Sequence, residues 1–566
     1  MNQADGKSRL TEPDSGSAAT EAGKSPVADG TETGPPTCGE ALMHLLQDYG
    51  VDTVFGIPGE HTLELYRGIA TSGMRHVLVR HEQGAGFMAD GYARASGRPG
   101  VCTLITGPGV TNAATPLAQA YADSVPVLLI SSANRTESLG KGWGCLHEIT
   151  DQRAVTAPLT AFSAMVQSPE DLPELVAQAF TVFRSRRPRP VHISIPIDLL
   201  GAPVAGGWKA LASPERPCPA PGPVAEAAAL LAAARRPVIL VGGGAQDTAD
   251  RITPIAEMLD AAVISSNAGK GVVSDRHPLS LGGGLITKAV RDYLETADAI
   301  LAVGTEISET DSFEDYLTIH ARLVRIDIDP AKFNDIYPAD IGILGDAAPA
   351  LDALGEALGK HALPVRRGTA TELESVRARQ HDDFTPVERQ HRRLLLQLRG
   401  LLPDDAIIMG DIAQLVYTGS AVMPAYRPRT WFYPAGLGTL GCALPGAIGA
   451  GIAMPDTPVV ALVGDGGFLF TIQELATAVE EELCIPIILW NNDSLAMIRD
   501  GMTKRNIPEI GVNPKNPDFI RIAEGFGCRT ARPDSLESFS DALRSALQVN
   551  VPTVIEVREF ADWLMA

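Results

Sequence analysis

Two polar clusters follow strand-like apolar runs near the end of the chain, about one crossover apart. VVALVGDGG (459–467) ends in Gly-Asp-Gly-Gly, and IPIILWNN (485–492) ends in a pair of asparagines. Because the carboxyl ends of parallel strands share one edge of a sheet, we expect the two clusters to meet there. Glycines let the backbone approach an anion, and Asp465 adds a hard oxygen ligand. The pair predicts a metal and diphosphate clamp, whereas either cluster alone would indicate a turn.

A single carboxylate is the second candidate for chemistry. Glu82 stands after the strand-like RHVLVR (75–80) and opens the small-residue segment EQGAGFMADGYARASG (82–97). A glutamate at a helix start is often only a favourable partner of the helix dipole. In an apolar setting its pKa would rise, and the group could then hold and release a proton near neutral pH.

Both candidates require parallel sheets to position them. From residue 37 onward, short β-branched runs alternate with Ala- and Leu-rich helical patterns. This alternation predicts an α/β protein with three consecutive doubly wound parallel-sheet domains. The expected divisions are a disordered tail (1–36), a first domain (37–205), a linker (206–222), a middle domain (223–361), a connector (362–393) and a last domain (394–566).

Composition excludes several classes of function. The formal net charge of −21 opposes binding to nucleic acid or to anionic lipid, and no basic run offsets it. The seven cysteines include no C-x-x-C pair, which argues against a disulfide framework and against a zinc site. No segment has the ~18 apolar residues of a membrane span, and the start lacks a signal-peptide pattern. We therefore expect a cytoplasmic protein with no nucleic acid or membrane partner.

The Gly-Asp-Gly and Asn-Asn clusters at this spacing resemble the signature of thiamin diphosphate enzymes. The resemblance covers almost everything after residue 37, in the pyrimidine-binding, middle and diphosphate-binding order of the acetolactate synthase and 2-oxo acid decarboxylase group. It implies that Mg²⁺ is held by Asp465, Asn492 and the backbone carbonyl of Ser494. It implies coenzyme contacts from Gly438, Leu440, Gly464, Gly466, Gly467 and Met497.

The resemblance also implies roles for the acid and for a second chain. Glu82 would activate the aminopyrimidine of the coenzyme, and the segments GIPGEH (56–61) and 106–132 would form loops around it. In this family the glutamate and the metal clamp come from different subunits. A homodimer or homotetramer is therefore implied.

Three departures argue against acetolactate synthase itself. Ala161 and Phe162 replace a Lys-His pair, and Gly501 stands where that enzyme has a tryptophan. The acidic stretch VGTEISETDSFEDY (303–316) replaces an arginine-bearing flavin segment, which makes FAD binding doubtful. An acidic run of this kind is otherwise typical of a solvated loop.

The segment KGWGCLHE (141–148) resembles decarboxylases of 5-guanidino-2-oxopentanoate. A guanidinium group calls for carboxylates, of which Glu148 is the first candidate and Asp311 and Asp500 are weaker ones. His147 is a candidate proton carrier. We expect Mg²⁺- and thiamin diphosphate-dependent, non-oxidative decarboxylation of a 2-oxo acid, with 5-guanidino-2-oxopentanoate giving 4-guanidinobutanal.

Other functions stay open on the sequence. The alternative within the family is an acetolactate synthase-type carboligase that acts on pyruvate. From other classes come a flavin or nucleotide oxidoreductase built on the glycine runs 241–246 or 281–286, and a cofactor-binding homologue without activity. The side chain of the 2-oxo acid, the binding of a flavin and the choice between dimer and tetramer are left open as well.

Overall fold

The computed structural model describes residues 35–363 and 368–565. Almost all of the predicted tail (1–36) and residues 364–367 of the predicted connector lie outside the described residues. The described chain alternates strands and helices from its first helix onward, as the sequence pattern predicts.

The strands are short, and most of them are buried. In chain order they are β1 Thr53–Gly56, β2 Arg75–Leu78, β3 Gly100–Leu104, β4 Val127–Ala133, β5 Phe162–Met165, β6 Val191–Pro196, β7 Pro237–Val241, β8 Ala262–Ser265, β9 Ala299–Val303, β10 Arg322–Asp327, β11 Ile341–Leu344, β12 Ile407–Gly410, β13 Trp431–Phe432, β14 Val459–Gly464, β15 Pro486–Asn491, β16 Arg529–Ala531 and β17 Thr553–Arg558.

The helices connect these strands and cover the sheets. They are α1 Cys38–Asp48, α2 Leu63–Ser72, α3 Glu82–Ser96, α4 Pro108–Asn112, α5 Ala114–Ala122, α6 Gln152–Thr156, α7 Leu172–Ser185, α8 Ile197–Leu200, α9 Pro221–Ala233, α10 Ala249–Leu259, α11 Lys288–Glu295, α12 Glu309–Ser312, α13 Ala347–Leu358, α14 Thr369–Arg379, α15 Pro386–Leu401, α16 Gln414–Val422, α17 Ala443–Ala453, α18 Asp465–Thr471, α19 Leu475–Glu480, α20 Ala496–Lys504, α21 Phe519–Gly525, α22 Leu536–Ala546 and α23 Asp562–Met565. Among the described residues, none of these helices is both long enough and apolar enough to cross a bilayer.

Three parallel sheets follow one another along the chain. The N-terminal sheet has the order β2-β1-β3-β4-β6-β5, the middle sheet β11-β10-β9-β7-β8 and the C-terminal sheet β13-β12-β14-β15-β17-β16. Every strand pair within them is parallel, from β1 with β2 to β16 with β17. The predicted fold class is therefore confirmed. When the strands of each outer domain are counted from its own first strand, both outer sheets have the order 2-1-3-4-6-5.

Helices α3 and α17 join the two outer sheets. Both are rich in glycine and alanine, so their backbones approach closely. A Cβ on Gly91 would lie 2.1 Å from the carbonyl oxygen of Gly446, and one on Gly449 would lie 2.0 Å from that of Met88. One hydrophobic core consequently contains residues from both the N-terminal and the C-terminal sheets.

The middle sheet has separate cores on its two faces. A cavity of about 710 Å³ lies between this domain and the two outer ones. Its lining includes the glycine loop at 243–244, the acidic stretch 304–311 and arginines such as Arg187 and Arg429. The middle domain thus lines part of an inter-domain cavity, whereas the two outer domains carry the predicted coenzyme residues.

Candidate functional site

The predicted clamp lies at the carboxyl ends of two neighbouring strands. Gly464 of β14 pairs with Trp490 of β15, so Asp465 and Asn491 follow side by side. Asp465 is the first residue of α18 and is only 4% exposed. Burial raises the pKa of Asp465, whereas hydrogen bonds from the Asn516 side chain and the Gly466 N–H lower it. A buried carboxylate of this kind is stabilised when a cation is bound beside it.

An asparagine that the sequence patterns did not indicate lies at this point. The Nδ2 of Asn516 donates to Asp465 Oδ2 at 2.7 Å, to Asp493 Oδ1 at 3.1 Å and to Asn491 Oδ1 at 3.3 Å. Three oxygens therefore converge on one nitrogen. Hard oxygens gathered in this way match the preference of Mg²⁺, so the donor set fits the metal that the family resemblance implies.

The two other predicted metal ligands form the adjoining turn. Asn492 Oδ1 accepts from the backbone N–H of Ser494 at 3.2 Å, and its Nδ2 donates to Glu559 Oε2 at 3.2 Å. Asp493 between them has a φ of 51°. The structure thus brings Asp465 together with Asn491 at the shared amide, while Asn492 and Ser494 lie one and three residues farther along the chain.

The three glycines around Asp465 pack closely against neighbouring side chains. A Cβ on Gly464 would lie 3.2 Å from Ala413 Cβ, and one on Gly466 would lie 3.0 Å from Leu495 Cδ2. At Gly467 the Cβ would lie 2.9 Å from an oxygen of Asp411. Larger residues would therefore crowd the first turn of α18, which the resemblance assigns to the diphosphate.

Asp411, at the end of β12, organises the second glycine segment. Both of its carboxylate oxygens accept from the Gly441 N–H at 3.0 Å, and Oδ2 also accepts from Ala443. Burial raises the pKa of Asp411 to about 6, despite these backbone bonds. The sequence patterns did not single out this residue, because its importance depends on contacts about 30 residues away along the chain.

The segment with Gly438 and Leu440 is also held by the N-terminal domain. Gln119 Oε1 accepts from the Thr439 hydroxyl at 2.8 Å, and Asp123 Oδ1 accepts from the Gly436 N–H at 2.7 Å. Gly438 itself is exposed, with a φ of 71° that favours glycine. The predicted coenzyme-contacting backbone is thus held from two domains.

Met497 lies on α20 and is 53% exposed. Its neighbours Leu495 and Ile498 are exposed as well. A Cβ added at Gly466 would lie nearest to Leu495. The apolar group of Leu495, Met497 and Ile498 therefore lies beside the first turn of α18.

Glu82 begins α3 as the sequence pattern predicts. The preceding His81 caps the helix through Nδ1, which accepts from the Gln83 N–H at 3.1 Å. Asn112, at the end of α4, donates to Glu82 Oε2 at 2.9 Å. One carboxylate oxygen is therefore engaged, and Oε1 is left for another partner.

A fully buried glutamate holds the segment before Glu82. Both carboxylate oxygens of Glu474 lie 3.2 Å from the Arg80 N–H, and Oε2 also accepts from the Thr477 hydroxyl at 2.8 Å. A Cβ on Gly84 would lie only 2.4 Å from Glu474 Oε1. Glu474 follows α18 in the C-terminal domain, so it connects the two outer domains. No sequence pattern had indicated it.

The loop at 141–148 is closed by its own glutamate. The Glu148 carboxylate accepts from the backbone N–H groups of Gly142, Trp143, Gly144 and Cys145 at 2.7–3.3 Å. These bonds, first that from Cys145, lower the pKa of Glu148. Its oxygens are therefore engaged within the loop. His147, by contrast, turns its ring towards His61, with the centroids 5.6 Å apart.

The two weaker acid candidates lie in other domains. Asp311 of α12 is buried and accepts from both the backbone and the side chain of Asn267, at 2.7 and 3.1 Å. Asp500 of α20 is exposed and paired with Arg499 at 3.0 Å. The structure does not bring Glu148, Asp311 and Asp500 together.

The acidic stretch 303–316 makes specific contacts and is more than a solvated loop. Glu306 forms ion pairs with Arg187 at 2.7 Å and Lys332 at 2.8 Å. Although burial raises the pKa of Glu306, these two cations lower it to about 2. The Arg187–Glu306 ion pair thus joins the N-terminal and middle domains at the cavity wall.

Three family models match the chain. They are the thiamine pyrophosphate enzyme N-terminal TPP binding domain over 36–155, the central domain over 224–354 and the C-terminal TPP binding domain over 411–557. A probable 2-ketoarginine decarboxylase, AruI of Pseudomonas aeruginosa, is 50% identical, covering 92% of this chain and 94% of its own.

Acetolactate synthases are more distant relatives. The Mycobacterium bovis acetolactate synthase is 33% identical, covering 93% of this chain and 88% of its own length. The acetolactate synthase isozyme 1 large subunit of Escherichia coli is 32% identical, covering 93% and 94%. The decarboxylase relative is thus clearly more similar than either of these synthases.

Proposed function

Because this chain belongs to the thiamine pyrophosphate enzyme family, we propose that it decarboxylates 5-guanidino-2-oxopentanoate without oxidation and releases 4-guanidinobutanal. The observation that carries the proposal is the 50% identity, over nearly the whole of both chains, to a probable 2-ketoarginine decarboxylase. The departures from acetolactate synthase at Ala161, Phe162 and Gly501 support the same choice.

We assign the holding of Mg²⁺ to Asp465, Asn492 and the carbonyl of Ser494. The convergence of three oxygens on the Asn516 amide supports a cation at this edge of the sheet. Gly464, Gly466 and Gly467, where a Cβ would crowd neighbouring side chains, would meet the diphosphate through their backbone, and the segment with Gly438 and Leu440 would bind the aminopyrimidine.

Thiamin diphosphate, when bound, supplies the carbon nucleophile and the electron sink for loss of CO₂. Glu82 holds and moves a proton at Oε1, because Oε2 already accepts from Asn112. Met497 and its exposed apolar neighbours on α20 would cover the coenzyme and exclude water. We assign His147 a part in proton transfer.

We further propose that the active protein is a homodimer or a homotetramer. Leu495, Met497 and Ile498 are exposed apolar side chains beside the predicted diphosphate site, and Trp143 and Leu146 are exposed on the loop that carries His147. Apolar groups gathered at functional edges favour contact with a second copy.

A screen of CO₂ release tests the substrate assignment. Pyruvate, 2-oxobutyrate, branched, aromatic and guanidino 2-oxo acids are each supplied with thiamin diphosphate and Mg²⁺, and the products are identified by mass spectrometry. The guanidino acid should give the highest kcat/KM, with 4-guanidinobutanal as product. Turnover of pyruvate to acetolactate, with no turnover of the guanidino acid, would establish the carboligase alternative instead.

A further inference from the structure

The two asparagines at the end of β15 each face a glutamate from the end of β17. The two strands pair in parallel, and the pairing continues to Glu559, one residue past β17, whose N–H donates to the Asn491 carbonyl at 3.0 Å. Asn491 Nδ2 donates to Glu556 Oε1 at 2.7 Å. Asn492 Nδ2 donates to Glu559 Oε2 at 3.2 Å. Two neighbouring amides are therefore held by two different carboxylates.

An amide side chain binds a cation through its oxygen, so its orientation matters. The nitrogen donates and the oxygen accepts, and the neighbours decide which of the two faces a given point. An ionised carboxylate only accepts hydrogen bonds. Since Glu559 accepts from Nδ2 of Asn492, the Oδ1 of Asn492 lies on the other branch of the amide. There it accepts from the Ser494 N–H at 3.2 Å, within the turn that we assign to the metal.

The Glu559 carboxylate is itself held by a donor that cannot reverse its role. The indole Nε1 of Trp490 donates to the same Oε2 at 3.1 Å, and an indole N–H has no acceptor form. Trp490 is buried in β15, where the ring of His391 makes a T-shaped contact with it at a centroid distance of 4.7 Å. The atom that receives bonds from both Trp490 and Asn492 must therefore be an acceptor.

The other neighbour of the Asn492 amide is weaker. Gln414 Oε1, at the start of α16, lies 3.5 Å from Asn492 Nδ2, which is the limit of a hydrogen bond. Glutamine can also present either its oxygen or its nitrogen. Glu559 and Asn492 are both half-buried, and a hydrogen bond to a charged group is stronger than one between neutral groups. Glu559 therefore decides how the Asn492 amide is turned.

Glu556 has a different setting from Glu559. It is 1% exposed, and the Nε of Arg532 donates to its Oε2 at 2.8 Å. It holds Asn491, whose Oδ1 faces the Asn516 amide at 3.3 Å. Glu556 thus belongs to a buried ion pair, whereas Glu559 contacts the predicted metal ligand Asn492.

We propose that Glu559 is a positioning residue that turns the Asn492 amide so that Oδ1, and not Nδ2, faces the metal. This inference rests on the proposed function, in which Asn492 holds Mg²⁺. Glu559 acts through Asn492, because its Oε2 is shared between Trp490 and Asn492. Loss of such an outer partner of a metal ligand typically lowers metal affinity about 10–100-fold.

Two variants of Glu559 separate orientation from charge. Glu559→Ala removes the acceptor, so the Mg²⁺ concentration that half-saturates thiamin diphosphate binding should rise about 10–100-fold. Glu559→Gln removes only the charge. Because the Trp490 N–H needs an acceptor, the new amide oxygen takes the position of Oε2 and still accepts from Asn492. The half-saturating Mg²⁺ concentration should then stay within about threefold of the wild type, since both hydrogen bonds are kept.

Calorimetric titrations with thiamin diphosphate over a series of Mg²⁺ concentrations measure these changes. At saturating Mg²⁺, kcat of Glu559→Ala should return to within about threefold of the wild type, as expected when only binding is weakened. The matched controls are Glu537→Ala and Glu537→Gln, which alter an exposed acid of α22. Both controls should keep the wild-type dependence on Mg²⁺.

Thermal midpoints provide a readout that does not depend on turnover. A ligand that binds the folded chain raises the midpoint by an amount that depends on its affinity. The rise on adding thiamin diphosphate with Mg²⁺ should shrink in Glu559→Ala and persist in Glu559→Gln. Each rise is referred to the same variant without ligands, so a general loss of stability does not contribute to it.

Two results would overturn the inference. One is an equal loss of Mg²⁺ affinity in Glu559→Ala and Glu559→Gln, because Glu559 would then act through its charge alone. The other is a wild-type dependence on Mg²⁺ in Glu559→Ala. If the wild-type protein binds no thiamin diphosphate in the presence of Mg²⁺, the proposed function itself fails, and that result is seen before any variant is made.

Discussion

The N-terminal and C-terminal sheets have the same strand order but carry different chemistry at the same places. After the third and fourth strands, the C-terminal domain has Asp465 and Asn492, which are the predicted oxygen ligands of the metal. After the corresponding strands, the N-terminal domain has Gly107 and the loop with His147. The shared topology therefore sets where functional groups can stand, while the residue types decide that one edge suits a metal and the other suits proton transfer.

Each of these domains also holds a functional segment of the other. Glu474 of the C-terminal half binds the backbone before Glu82, and Gln119 of the N-terminal half binds Thr439 beside Gly438. The two domains have distinct proposed chemical roles, but each of them holds a segment of the other in place. Variants on either side should consequently separate binding from rate, while variants at the joint should affect stability.

The largest effect is expected at the metal edge. Asp465→Asn keeps the shape of the side chain but removes its charge, so affinity for thiamin diphosphate in the presence of Mg²⁺ should fall at least ~10²-fold. Isothermal calorimetry measures this change. Asp541→Asn is the control, because Asp541 is an exposed acid that pairs with Arg544 on α22. Unchanged affinity in Asp465→Asn would show that the edge of the C-terminal sheet does not bind the metal through Asp465.

The next effect contrasts with the first. Glu82→Gln should lower kcat ~10²-fold or more and leave coenzyme affinity within a few fold, because a proton carrier is lost and no metal ligand is touched. Rates and calorimetric titrations are compared with those of Glu226→Gln, which alters an exposed acid of α9. Parallel losses of coenzyme affinity and kcat in Glu82→Gln would contradict the separate roles proposed for the two sheet edges.

A smaller effect is expected at the joint between the domains. In Gly84→Ala the new Cβ would lie 2.4 Å from Glu474 Oε1, so the buried carboxylate must shift. Overpacking of this kind costs about 1–3 kcal/mol, and the thermal midpoint should fall. Gly525→Ala is the matched control in α21, where nothing lies within 4 Å of the added atom. Equal thermal midpoints for the two variants would show that the contact between residue 84 and Glu474 can shift without loss of stability.

The last effect concerns acid stability and involves both outer domains. Burial lowers the pKa of His192 in β6 and of His391 in α15 to about 3. The unfolded chain, with a histidine pKa near 6.5, then binds more protons than the folded chain between those values. The stability is present above pH ~6.5 and is lost as the pH falls towards 3, at up to about 1.4 kcal/mol per pH unit for each histidine.

Thermal midpoints from pH 7.5 to 5 measure this dependence. His391→Gln should make the midpoint less sensitive to pH, and His192 should account for much of the remaining slope. His192 has hydroxyl partners on Ser131, Thr156 and Ser194, whereas Nε2 of His391 has no hydrogen-bond partner among the described residues. A slope unaltered by His391→Gln would contradict the lowered pKa of that residue.

The sequence predicted the fold and the parts of the site that have local patterns. Alternating strand and helix patterns gave the three parallel sheets, and strand-end glycines located Asp465. Asn516, Glu474 and Asp411 were missed, because each acts through long-range contacts that no local pattern records. His61 lies in GIPGEH, which was singled out as a loop, but its pairing with His147 needed the packing of two loops.

The acids predicted to bind the substrate show a second limit of prediction from sequence. Glu148 stands at the end of a glycine-rich loop. On residue type alone, a glutamate there suits recognition of a cationic substrate. Its carboxylate instead closes that loop through four backbone N–H groups. A carboxylate that binds its own backbone cannot be recognised from composition, because the glycine torsions that aim those N–H groups appear only in the folded loop.

Calorimetric titration of the purified wild-type protein with thiamin diphosphate is the strongest test of the proposed coenzyme site. In the presence of Mg²⁺ the account predicts saturable binding of one coenzyme per chain, and removal of Mg²⁺ with a chelator should weaken that binding strongly. Absence of binding at millimolar coenzyme with saturating Mg²⁺ would contradict the account.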